Sequence, residues 1–167
     1  ENIVFFYGIA PMFVSFFPRP KLFFSSVLLW SILAVLGWYQ GGANLGHLIG
    51  LPPAAADAPP IIGASIFWSK PFLWFYIYFT VVVFAFYAFW SWFSPHLWQR
   101  WSILGSGLIL FTTYFSVQVS VAVNTWYGPF YDMVQKGLST PGAVTAVEFY
   151  WGALDFAGIA FLAIFIG

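Results

Sequence analysis

The sequence predicts an all-α, polytopic transmembrane protein, and three observations carry that prediction. Of its 167 residues, 62% are hydrophobic and only 6% are charged, whereas a soluble domain is nearer a quarter charged. Aromatic residues alone make up 25%, ten of them Trp, far more than a water-exposed fold of this size could keep off its surface. Apolar runs of the length that crosses ~30 Å of hydrocarbon, roughly 20 residues, recur along the chain.

The spans come in order along the chain. Residues 22–39, "LFFSSVLLWSILAVLGWY", form the first, closed by Gly41 and Gly42. Residues 72–93, "FLWFYIYFTVVVFAFYAFWSWF", form the second and carry no charge. The third covers 101–123, and the fourth begins near Phe149 and runs to 167, where the sequence stops within an apolar run. The whole of 1–167 therefore reads as one transmembrane domain fragment, with 40–71 and 124–148 as loops on one side. The opening stretch, "ENIVFFYGIAPMFVSFF", is apolar but broken by Gly8 and Pro11. Its basic residues, Arg19 and Lys21, come after it, unlike a secretory signal, and it reads as interfacial or partly inserted.

The 40–71 segment is rich in Pro, Gly and Ala and reads as irregular and exposed. The joint "SPHLWQR" is so short that the second and third spans are expected to be antiparallel neighbours. Basic residues favour the cytoplasmic side. Arg19, Lys21 and Arg100 fall on one side and Lys70 and Lys136 on the other, so the N-terminus is expected inside and both long loops periplasmic. Trp68, Trp74, Trp98 and Trp101 lie near span ends, as in an interfacial aromatic belt.

Function is sought in the polar residues that hydrocarbon penalises. Thr112, Ser116, Ser120 and Asn124 recur every four residues and share one slowly drifting helix face. That face reads either as a helix seam, where small hydroxyl residues let helices approach, or as the wall of a wet cavity. Asp155, in "FYWGALDFAGIAF", is a candidate proton site, because a carboxylate inside an apolar helix favours its neutral form. The competing reading places it at the interface, hydrated or paired. Thr145 and Glu148 have the spacing of a capping box, which gives Glu148 a helix-starting role.

Other chemistries find no support. Net charge is zero, so nothing points to nucleic acid. The chain has no Cys, and His47 and His96 stand in expected loops with no further ligand at metal spacing. No nucleophile elbow, paired carboxylates or phosphate loop is present, so no enzyme activity and no cofactor are expected.

One stretch is more particular than the rest: "NTWYGPFYDMVQ", residues 124–135. Its pattern Asn-x-Trp-x-x-x-Phe-Tyr-Asp-x-x-Gln resembles the motif after the first core helix of one group of ABC-exporter-like membrane domains. Together with "SFFPRPKLFF", "FWSKPFLWFY" and "SPHLWQRWSILGS", which occur in the same order, it resembles the SbmA/BacA family of bacterial inner-membrane peptide transporters. The resemblance covers nearly everything from Met12 onward; residues 1–11 precede the point where members commonly begin.

The resemblance implies the N-terminal part of an ABC-exporter-like membrane domain without a nucleotide-binding domain, in a multi-pass homodimer. It implies uptake of peptides and peptide antibiotics, including antimicrobial peptides and microcins, driven by the proton gradient. The family's proton-coupling glutamates fall in later helices, beyond residue 167. It also implies that residues 124–135 form a periplasmic turn, with Trp126, Tyr127, Phe130 and Tyr131 packing at the interface, Pro129 stiffening it and Asp132 anchoring the next segment. Asn124, Gln135 and these residues are then a candidate turn or outer gate touching incoming peptide. Two competitors remain: the membrane half of an ABC transporter with an ATPase domain downstream, and a membrane assembly or structural protein.

Overall fold

The computed structural model of the chain describes residue 17 and residues 19–166. Apart from Phe17, the interfacial segment expected at the start lies outside the described residues. The described residues form helices and no strand: α1 (Pro20–Tyr39), α2 (Lys70–Phe93), α3 (Ser106–Ser139) and α4 (Ala146–Ile166). Two short 3-10 helices, Gly42–Ile49 and Ala64–Trp68, lie between α1 and α2, and a π-helical turn, Arg100–Gly105, leads into α3. Four helical stretches, the third running from Arg100 to Ser139, are long and apolar enough to cross a membrane.

These helices are hydrophobic on nearly all sides, as lipid-facing helices are. Leu28, Leu29, Val35, Leu36, Leu108, Ile109 and Ile164 are all exposed. Between such helices lipid leaves little hydrophobic driving force, so close packing and hydrogen bonds decide which faces meet.

The residues divide into two compact units. In the first, described residues up to Pro53 join Trp74–Ile109. Here α1 and α2 run antiparallel, held by the polar tips of aromatic side chains. The Trp90 indole N–H donates to Ser26 Oγ at 3.1 Å, Trp30 to the Val82 carbonyl at 3.1 Å, and the Tyr78 hydroxyl to the Ala34 carbonyl at 2.7 Å. Each partner falls further back along α2 as the α1 position advances. Trp74 ties the 3-10 helix that succeeds α1 to α2 by donating to the Gly42 carbonyl at 2.9 Å. Phe23, Phe86, Trp90 and Ile103 form the buried core, so the π-helical turn packs with both helices. Val83 of α2 faces Gly107 in the first turn of α3, consistent with the short joint expected from "SPHLWQR".

The second unit comprises Ala54–Leu73 and the residues from Leu110 onward. Here α3 and α4 are antiparallel: Trp126 meets Gly152 and Phe156, Phe130 meets Phe149, and Gly137 meets Val144. The turn between them is set by Gly142 at φ 83 and by the expected capping box. The Thr145 N–H donates to Glu148 Oε2 at 2.9 Å, and the Glu148 N–H to Thr145 Oγ1 at 3.3 Å.

Two expectations need correction. The 124–148 stretch is helical through Ser139 and again from Ala146, so the chain reverses at 140–145 and not within the turn expected at 124–135. Proline inside a helix removes one backbone donor and normally ends or bends it. Aromatic packing of Trp126 and Phe130 against α4 outweighs that loss. At 1.5 Å per residue the 40-residue stretch from Arg100 to Ser139 spans about 60 Å, twice the hydrocarbon thickness. A segment after the third span can therefore leave the membrane core without ceasing to be helical. The 40–71 stretch is likewise not wholly irregular or exposed: it holds both 3-10 helices, and Phe67 within it is fully buried.

Candidate functional site

The faces of α3 decide where its motif residues point. From Leu110 onward its buried residues are Phe115, Val119, Ala122 and Trp126, spaced to form one stripe. A step of four residues rotates about 40° around an α-helix, so the Thr112–Ser116–Ser120–Asn124 row drifts steadily away from that stripe. Thr112 lies at its edge and is half-buried, while Ser116, Ser120 and Asn124 are exposed. Ser116 Oγ donates to the Thr112 carbonyl at 2.9 Å and Ser120 Oγ to the Ser116 carbonyl at 3.1 Å, both within the helix. The polar row is thus not the seam between α3 and α4. Aromatic and small apolar residues make that seam.

The 124–135 motif splits into two faces. Inward, Trp126 stacks on Phe130 with centroids 4.5 Å apart, packs against Phe156 at 4.7 Å, and donates its indole N–H to the Gly152 carbonyl at 2.7 Å. Gly152 is required there, since a Cβ would sit 2.9 Å from the Phe130 ring and 3.1 Å from the Met133 methyl. Outward, Tyr127 and Tyr131 stack on each other at 5.4 Å and are about half exposed, with Asn124, Asp132 and Gln135 also exposed. Pro129 is exposed between the two faces, and Thr125 Oγ1 bonds the Val121 carbonyl one turn below it. The motif is therefore an aromatic clamp on α4 along one face and an open polar-aromatic surface along the other.

Asp155 is half-buried at the midpoint of α4, and its carboxylate lies against Gly63. Gly63 has φ 92, a backbone setting open to glycine, and a Cβ there would be 2.6 Å from Asp155 Oδ1. One turn further along α4, Gly158 packs against Ala64. Phe67 completes the attachment, meeting the Phe115 ring at 4.7 Å and the Phe72 ring at 5.6 Å. The Gly63–Trp68 segment is thus strapped across α3 and α4 in the second unit. Among the described residues no group of three metal-ligating side chains occurs.

Sequence reading missed Gly63, Phe67 and Gly152: Gly63 lies against Asp155, Phe67 meets Phe115, and Gly152 meets Trp126 and Phe130. A glycine just before "ASIFW" was the available signal for the first two, because it breaks an otherwise bulky apolar stretch.

Comparison with known families matches residues 95–167, fewer than half of the chain, to the family model described as SbmA/BacA-like. That span holds the short joint from Pro95 onward, all of α3 with its clamp, and the described part of α4. With four membrane-length helices among its described residues, the chain has a multi-pass membrane architecture, and over residues 95–167 it is similar to the SbmA/BacA-like family.

Proposed function

We propose that this chain forms the N-terminal part of a bacterial inner-membrane importer that takes up peptides and peptide antibiotics using the proton gradient. The observation that carries the reading is the match of residues 95–167 to the SbmA/BacA-like family, which includes the whole α3–α4 clamp. The multi-pass helical architecture supports it. The importer works as a homodimer by alternating access, with a cavity that opens first to the periplasm and then to the cytoplasm. Its fold is that of an ABC-exporter membrane domain, with protons in place of ATP.

Within this reading the N-terminus lies inside, because Arg19, Lys21 and Arg100 outnumber Lys70 and Lys136. The exposed row Ser116–Ser120–Asn124 and the stacked Tyr127–Tyr131 pair are the surfaces of α3 left for cavity, peptide or partner subunit, since the opposite face is committed to α4. Asp155, the candidate proton site, lies beside the Gly63–Trp68 strap.

The test is uptake of a fluorescently labelled antimicrobial peptide by cells with and without the native-length gene. Uptake that requires the gene and collapses with a protonophore supports the reading. Uptake that survives the protonophore but stops on ATP depletion indicates an ABC transporter half. Peptide binding without any uptake indicates an assembly role.

A further inference from the structure

The first unit has a one-sided charge pattern. Its described residues contain three fixed cations, Arg19, Lys21 and Arg100, and no acidic residue at all. The described acids, Asp57, Asp132, Glu148 and Asp155, all fall in the second unit. The Arg19 guanidinium sits 5.7 Å from the Phe93 ring centroid, which puts it at the end of α2 from which the joint to Arg100 departs.

At that joint lies a cleft of about 560 Å³, lined by Tyr87, Ser91, His96, Gln99, Arg100 and Trp101 among others. Its floor is built. Gln99 is 4% exposed, and its amide donates to Ser91 Oγ at 2.9 Å and to the Tyr87 carbonyl at 3.2 Å. The amide oxygen accepts from the His96 backbone N–H at 3.4 Å. His96 Nδ1 is buried without a hydrogen-bond partner. One wall is the π-helical turn Arg100–Gly105, a rare geometry that is frequent at functional sites. Neither the Arg100 guanidinium nor the Trp101 indole N–H has an acceptor among the described residues, so the open side of the cleft offers donors and one positive charge with no carboxylate to answer it. Its rim is apolar: Leu97 is 87% exposed and Trp101 72%.

We propose that this cleft binds the phosphate headgroup of an anionic phospholipid, with Arg100 and Trp101 holding the phosphate. The charge pattern selects an anion, and the apolar rim at a helix end selects one that brings hydrocarbon with it. Basic pockets between transmembrane helices bind such headgroups. Arg19 and Lys21 at the same end add long-range attraction. The site stands independently of what is transported.

The experiment is native mass spectrometry of the full chain released from nanodiscs of phosphatidylcholine doped with phosphatidylglycerol. Retention of phosphatidylglycerol over phosphatidylcholine by about fivefold is expected, the effect of one basic residue near a charged headgroup. Arg100→Gln should abolish that preference and Arg100→Lys should keep most of it, while Lys136→Gln, in the second unit, should leave it intact. Equal retention of both lipids, or a preference that survives Arg100→Gln, would overturn the proposal. So would displacement of the lipid by inorganic phosphate, which would mark a free-anion site.

Discussion

Trp126 donates its indole N–H to the backbone carbonyl of Gly152, 2.7 Å away on the neighbouring helix. The pair joins α3 to α4 where the chain carries its most specific motif. The bond is available only because Gly152 has no side chain to hold the Phe130 ring away.

Trp126→Phe keeps a ring in the seam but removes the donor. Stability should fall by about 1 kcal/mol, the usual worth of such a bond between membrane helices. Gly152→Val should cost more, because a branched side chain meets the Phe130 ring directly. Thermal unfolding in detergent, with both variants beside the parent chain, checks the order.

The strap and α4 are coupled through Gly63 and Asp155. Gly63→Ala should destabilise for two reasons, the positive φ and the collision with Asp155. Asp155→Ala removes only the second. In a double-mutant cycle the two changes should be non-additive by at least about 0.5 kcal/mol, Gly63→Ala costing less once Asp155 is gone. Strict additivity would mean the carboxylate does not constrain the strap.

Much of the fold was legible because lipid imposes a simple rule. The uncharged runs at 22–39 and 72–93 correspond to α1, Pro20–Tyr39, and α2, Lys70–Phe93. The capping box at Thr145 was legible too, since its three-residue spacing is local. The helical course of 124–139 was not, because Gly128-Pro129 is a turn signal at short range and only aromatic contacts with α4 override it. The α3–α4 contact was hidden for a related reason. Polar residues attract notice in an apolar chain, yet Trp126 and Phe130 make the contact with α4, and Ser116 and Ser120 satisfy themselves on their own helix. The Gln99 floor was hidden because its partners lie 8 and 12 residues back, across the end of α2.

That geometry makes the polar row a clean functional test. Leucine at both Ser116 and Ser120 should change stability by no more than about 0.5 kcal/mol, as for surface substitutions elsewhere. Peptide uptake should nevertheless fall if this face lines the cavity or the partner contact. Unchanged uptake at normal expression would remove the row from the mechanism.

His96 sets a pH dependence. Burial holds its imidazole below the ordinary value of 6.5. The unfolded chain therefore binds a proton more readily than the folded one, and stability falls as pH drops below about 6.5 until the folded form is protonated too. The unfolding midpoint should decline on acidification through that window, and His96→Phe should flatten the decline.

In the proposed importer protons, not ATP, drive peptide uptake. The most direct measurement places the native-length protein in sealed proteoliposomes free of nucleotide, with labelled peptide outside and a proton gradient imposed, acid outside. A proton-driven importer should accumulate peptide inside, and a protonophore should abolish the accumulation. Accumulation that ignores the gradient and appears only when ATP is supplied would contradict it.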